Sequence, residues 1–357
     1  MAHNGRFEQF TNQASGFAGG SDFCSLIQFT PLRVFPDRAY HHMSRSSRIR
    51  IEAEYALFRA LTGGLASLPR PAAVTTGRRL ARAAFFALGH LRHIGECNLR
   101  IAFPHSGRPE HLRILRASFD SLGRQLGEFC HFPQATAESL RKIVEYDPDA
   151  YSRFQAAKER GRGVLLITAH LGGWEFLPFA ASAFGEPISF LVRPIENPKI
   201  EQSIYAVRTK FGSECINKKA SGLTCMRILR KGGTLGVMTD LNSLPQEGVF
   251  TPFFGELACT TLAVAAFALP TDAVIFPVIA PYDATRGKYV FRGGPAIEVL
   301  RTGDYERDLL INTARVASVI EKTIREYPEQ WLWIHDRWHA RPRPWDRVCI
   351  DFPPVEL

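Results

Sequence analysis

At 357 residues, with 45% hydrophobic and 22% charged residues, the chain has globular composition and length enough for one large or two modest domains with a real core. Its seven cysteines, at 24, 97, 130, 215, 225, 259 and 349, are odd in number and form no CxxC pair, which argues against a zinc site or a disulfide framework and for reduced thiols. The net charge of +9 is concentrated: between Arg45 and Arg100 ten arginines face three acids, Glu52, Glu54 and Glu96. A basic, partly apolar segment of this kind favours an anionic membrane surface. Nucleic acid is a poor alternative, because no zinc finger, RNP motif or helix-turn-helix accompanies the charge.

Residues 1–42 contain Gly, Ser and Asn without sustained periodicity, and lack the basic start and apolar core of a signal peptide. They read as a poorly ordered leader to residue 44, with Met43 as a possible alternative start. Ile51, Tyr55, Phe58, Leu61, Leu65 and Leu68 then recur at helical spacing. The stretch 50–68 is too polar to span a bilayer and predicts either an interfacial helix or an ordinary packed one. Residues 77–103 continue as a basic helix, and Leu112, Leu115, Phe119, Leu122 and Leu126 form the core stripe of another between Pro109 and Phe132. Glu128 and His131 at its end are placed in the core or on the surface, within possible reach of a site.

From Gly163 the pattern alternates. Strands are predicted near 164–169, 188–192, 235–239 and 273–279, and helices near 175–184, 198–211, 221–230, 260–269 and 306–326, the alternation an α/β sheet requires. The domains read as a basic helical region 45–150, an α/β core 151–345 and a tail 346–357.

The chemistry concentrates in GVLLITAHLGGWEFLPF, residues 163–179. An apolar run delivers His170 into a Gly172-Gly173 corner, and Glu175 opens a helix. His170 would take a proton from a hydroxyl, Glu175 would hold its other ring nitrogen, and the amides after the glycines would receive a developing oxyanion. These parts suit direct attack of an alcohol on an acyl carbonyl, with no serine or cysteine nucleophile. The spacing also occurs at His3/Glu8 and His105/Glu110, but only His170 follows a buried-type strand. A histidine capping a strand beside an acid in a helix first turn fits the same residues.

HLGGWEF resembles the His-x4-acid signature of the bacterial late acyltransferases of lipid A biosynthesis, within the glycerolipid acyltransferase superfamily. Further matches follow in order: RPIENPK from Arg193, Arg208 with Phe211-Gly212, Gly233 to Asp240, Phe253-Phe254-Gly255, and EQWLWIHDRW from Glu329, covering roughly residues 45–345. Asn98-Leu99 and Ala102-Phe103-Pro104 are similar to a further family element. The resemblance implies a mostly parallel, mixed sheet flanked by helices, with an amino-terminal membrane-associating segment. It also implies acyl transfer from an acyl thioester, acyl carrier protein or CoA, to a lipid A precursor at the cytoplasmic face of the inner membrane, with no metal or redox cofactor.

Arg193, just beyond a predicted strand, with Asn197 and Arg208, is expected to bind a phosphorylated substrate; a solvated helix face is the other reading of Arg208. Asp240, expected with them to bind substrate, ends a strand at a position where the family carries an acid, and Leu241-Asn242 departs from the family pattern there. Residues 248–255, GVFTPFFG, read as a loop, and Trp174, Phe250, Phe253 and Phe254 are expected at the edge of an acyl channel, although aromatics so dense also suit a core. His335 is the rival histidine, expected to be structural or to flank substrate, and Arg337 and Arg341 are expected to add cationic surface. Another acceptor, such as a phosphatidylinositol mannoside or an ornithine-type lipid, and a catalytically silent lipid-binding homologue remain alternatives.

Overall fold

The strand leading to His170, β2 (Val164–Thr168), reads VLLIT and is buried throughout. A parallel strand covered on both faces needs such a continuous apolar run. In the computed structural model, which describes residues 45–217 and 222–355, β2 pairs in parallel with β5 (Thr234–Met238) on one side and β8 (Val274–Ile279) on the other. The predicted leader lies outside the described residues.

Numbered along the chain, the remaining strands of the sheet are β1 (Val144–Tyr146), β3 (Ser189–Val192), β4 (Glu214–Asn217), β9 (Tyr282–Asp283) and β10 (Lys288–Gly293). Their order is β1-β10-β8-β2-β5-β3-β4, with β9 on β10; only the β8–β10 and β9–β10 pairs are antiparallel. The mixed, mostly parallel α/β architecture is as expected.

Helices cover both faces. On one side α7 (Phe176–Ala183) packs Phe176, Leu177 and Phe179 with Leu166, Phe276 and Tyr289. On the other, α9 (Gly222–Arg230), α10 (Ala263–Thr271) and α11 (Tyr305–Glu326) bury Leu229, Val264, Val316 and Ile320 against Leu165, Ile167 and Leu235. From β2 the chain crosses to β3 beyond β5, and from β5 it returns to β8 beyond β2, so the connections diverge between these two central strands. In open α/β sheets, ligands gather in the crevice at such a reversal, beyond the strands' carboxyl ends.

The amino-terminal helices are α1 (Arg45–Ala66), α2 (Arg70–Ala87), α3 (Gly89–Ala102) and α4 (Arg108–Phe129). The expected continuous helix 77–103 is two helices, parted at Leu88. Phe85, Leu99, Leu115 and Phe119 join the core that contains Leu165 and Ile167, so helices and sheet share one apolar interior. The described residues from Arg45 onward form one compact unit. Short α5 (Ala137–Arg141) and α6 (Pro148–Glu159) lead through β1 to β2. The remaining helix, α8 (Pro198–Arg208), contacts α1.

Three expectations are corrected here. GVFTPFFG forms strand β6 (Gly248–Phe253) of a hairpin with β7 (Glu256–Thr261), turning at Phe254-Gly255, not a loop. Phe250, Phe253 and Phe254 are buried in the interior, because β6 is covered on both faces and its turn packs inward, and they do not form an exposed channel edge. Arg337 is fully buried and adds no cationic surface: its guanidinium donates to Cys259 O and Thr260 Oγ1 and lies 4.6 Å from the Phe253 ring centroid.

No described helix is long and apolar enough to cross a membrane. On α1, Ile51 and Leu65 of the expected apolar stripe are buried against the protein, while Ile49, Leu57 and Leu61 stay exposed.

Candidate active site

The parallel register that pairs Thr168 with Met238 sets the loops after β2 and β5 side by side, which brings His170 and Asp240 together across 70 residues of chain. Asp240 Oδ2 accepts the His170 backbone N–H at 2.8 Å, and Oδ1 lies 3.0 Å from His170 Nδ1. Trp331 Nε1 donates to Oδ2 at 2.8 Å. A buried carboxylate is expensive without partners, and these three donors offset that cost. Because a carboxylate only accepts, Nδ1 carries the hydrogen and Nε2 keeps a lone pair. Trp174 sets its ring against the imidazole, centroids 5.4 Å apart and planes at 64°.

Electrostatics follow this geometry. Burial opposes a charged imidazole at 170, but the charge and hydrogen bond of Asp240 outweigh it, with Glu175 adding, so the His170 pKa stands above its ordinary value. Burial likewise opposes ionised Asp240, yet the His170 charge, its hydrogen bonds and Trp331 hold that carboxyl below the usual aspartate range. Asp240, expected among the substrate-binding residues, is instead the fully buried acid that orients the imidazole and makes it more basic.

Glu175 is not the partner of the His170 ring. Its carboxylate takes a two-pronged contact from Arg208, at 2.9 Å to Nε and 2.5 Å to Nη2, both side chains being largely buried. Glu175 sits at the start of α7, and the guanidinium at the end of α8 offers it a fork matched to a carboxylate. Glu175 therefore anchors Arg208, and Arg208 is already engaged. Asn197 is also corrected: its Oδ1 caps α8 at Lys199 N and Ile200 N, and its Nδ2 donates to Ile51 O and Glu54, fastening α1 to the core. Arg193 remains exposed on the loop after β3, with no carboxylate partner among the described residues.

The glycine corner is dictated by close approach. Gly172 has φ +59°, and a Cβ there would sit 2.4 Å from Ala280 O; one at Gly173 would meet the Tyr289 ring at 2.5 Å. Their own amides are spent, Gly172 N–H on Gln330 O and Gly173 N–H on Ala280 O. The following two, of Trp174 and Glu175 at the start of α7, have no protein acceptor among the described residues. They are the donors available to a developing anion.

The residues around Trp331 make a single bridge with Leu171 and then turn. Helices α3 and α4 hold this segment: Asn98 Nδ2 donates to the carbonyls of Trp333 and His335, and Ser118 Oγ to that of Trp331. His335 Nε2 accepts the Asn242 N–H at 3.2 Å, and burial keeps this ring's pKa below its ordinary value. It serves the loop after Asp240 as a neutral acceptor, the first of the two roles expected of it. Glu128 is buried in a bidentate pair with Arg70. Sequence reasoning missed Trp331 as a support for Asp240; its distance of 91 residues leaves no local signal.

A buried acid orienting a histidine at the carboxyl end of a parallel sheet, beside free amides at a helix start, is an arrangement of acyl-transfer enzymes. The family model described as "Bacterial lipid A biosynthesis acyltransferase" matches residues 41–340, and the chain belongs to that family of acyltransferases. It is similar to the lipid A biosynthesis lauroyltransferase of Escherichia coli (strain K12), 25% identical over 284 residues, covering 77% of this chain and 88% of that one. The palmitoleoyltransferase of the same organism is 26% identical over 283 residues, 77% of this chain and 87% of its own. A lipid A biosynthesis acyltransferase of Haemophilus influenzae is 22% identical over 241 residues, 67% and 73% of the two chains.

Proposed function

We propose that this acyltransferase moves a fatty acyl group from an acyl thioester, acyl carrier protein being the donor the family suggests, onto a hydroxyl of a lipid A precursor. The observation that carries the mechanism is the orientation of His170, with Nδ1 on buried Asp240 and Nε2 free of any protein partner among the described residues. Nε2 takes the acceptor hydroxyl proton as that oxygen attacks the thioester carbonyl. The oxyanion of the tetrahedral adduct is received by the amides of Trp174 and Glu175. Collapse expels the donor thiolate, which recovers the proton from the imidazolium. The step as written calls for no metal or redox cofactor.

Arg193, exposed and unpaired with any described carboxylate, is the residue we assign to a substrate phosphate. Exposed Ile49, Leu57 and Leu61 on α1, among arginines, support peripheral association with the cytoplasmic face of the inner membrane. Mass spectrometry after incubating the purified chain with acyl carrier protein or CoA thioesters and candidate lipids tests this reading. Acylated lipid A precursor is the expected product; its absence, with product formed on another lipid, would overturn the acceptor assignment.

A further inference from the structure

Beyond the catalytic crevice, the structure holds a second amphipathic surface on its carboxyl-terminal segment, after the family match ends at residue 340. Residues 341–350 read RPRPWDRVCI. Trp345 is 75% exposed, Ile350 68% and Val348 41%, while Arg341, Arg343 and Arg347 are exposed around them. None of these arginines has a carboxylate partner among the described residues, and Asp346 spends an oxygen on the Arg343 backbone N–H. Arg343 lies over the Trp345 ring, 5.9 Å from its centroid.

This exposure does not come from a loose end. Phe250 N–H donates to Arg347 O and Cys349 N–H to Phe250 O, so the segment adds to the edge of β6. Cys349 is buried, and Phe352 and Val355 pack on the interior. Around this bridge Cys349 points inward while Val348 and Ile350 face out, and Trp345 stands on the turn before them, so the fixed backbone holds apolar side chains at an exposed surface. An indole and aliphatic side chains among unpaired arginines match a bilayer interface bearing anionic headgroups. The segment also follows directly from the site: Asn242, two residues past Asp240, accepts the Ala340 N–H through Oδ1 and donates its own N–H to His335.

We infer that residues 341–350 form a second membrane contact, separate from α1, which seats an anionic bilayer beside the loop after Asp240. It rests on the acyl-transfer reading only in placing the lipid surface near that site. The test is partition of the full chain onto vesicles of phosphatidylglycerol and phosphatidylethanolamine, and onto phosphatidylcholine alone, by sedimentation. The variants are Arg341→Gln/Arg343→Gln/Arg347→Gln and, separately, Trp345→Ser.

The triple variant should lose about 100-fold in partition onto the anionic vesicles, from about a factor of five for each arginine, while the parent binds phosphatidylcholine weakly. Its turnover in detergent micelles should be unchanged, which separates this contact from the catalytic proposal. Partition equal to the parent's would overturn the inference. So would intact partition with a raised KM for an acyl carrier protein substrate, which would assign the surface to an acidic protein instead.

Discussion

His170 Nδ1 lies 3.0 Å from Oδ1 of Asp240, while Glu175, five positions along the chain from the histidine, faces Arg208. The ring is thus oriented by a residue from the next strand in the sheet, and the acid of the local motif organises the neighbouring helix. Exchanging these roles changes what each substitution should do.

His170→Ala removes the proposed base. General acid/base contributions predict a loss of at least about 100-fold in kcat, with the fold retained, checked by turnover and by unchanged far-ultraviolet circular dichroism. Undiminished turnover would refute the assignment.

Glu175→Gln leaves the Arg208 guanidinium largely buried without its carboxylate. A cost of about 2 to 3 kcal/mol in denaturant unfolding is expected, and Arg208→Lys should not restore the fork geometry. Glu175 raises the His170 pKa and Arg208 lowers it. The Glu175→Gln/Arg208→Gln double variant should therefore leave the acid limb of the pH profile nearly in place, whereas an orienting Glu175 would require that limb to move.

Gly172→Ala combines a left-handed φ with a Cβ placed 2.4 Å from a backbone carbonyl that cannot step aside. We expect at least about 2 kcal/mol of destabilisation together with reduced turnover, because the same corner sets the first amides of α7. An active, fully stable variant would show that the corner has room.

Arg337→Met tests the interior reading of that residue. Burial pushes its guanidinium pKa down to about 10, and substitution removes its bonds to the Leu241 and Cys259 carbonyls and the Thr260 hydroxyl. A loss of about 2 to 4 kcal/mol in stability is expected, with vesicle partition unaltered. Weakened partition at full stability would return Arg337 to the surface.

Much of the α/β framework was legible because its signals are local. The buried run Val164–Thr168 and the repeating apolar face of α11 declare themselves by composition and period. The hairpin of β6 and β7 was not, since its turn is Phe254-Gly255, with Phe254 in the left-handed region at φ +55°, where Asn or Asp is the usual signal. Within the site, His170 and the glycine corner stood out because strand, turn and helix start are contiguous. The Asp240 and Trp331 contacts depend on strand order and on where a distant segment docks, and no spacing along the chain encodes them. Arg337 misled for a related reason: a guanidinium that satisfies backbone carbonyls inside a core looks, in sequence, like one on a surface.

The pH dependence of kcat/KM in the parent and in Asp240→Asn tests the central relationship most directly. His170 acts as a base only when neutral, and Asp240 raises its proton affinity, so parent activity should rise with pH through an apparent pKa above the ordinary 6.5. Without the Asp240 charge, burial is left opposing the imidazolium. The limb should then move to lower pH while the plateau falls by at least about 100-fold. An acid limb and plateau that both stay where the parent has them would contradict the account.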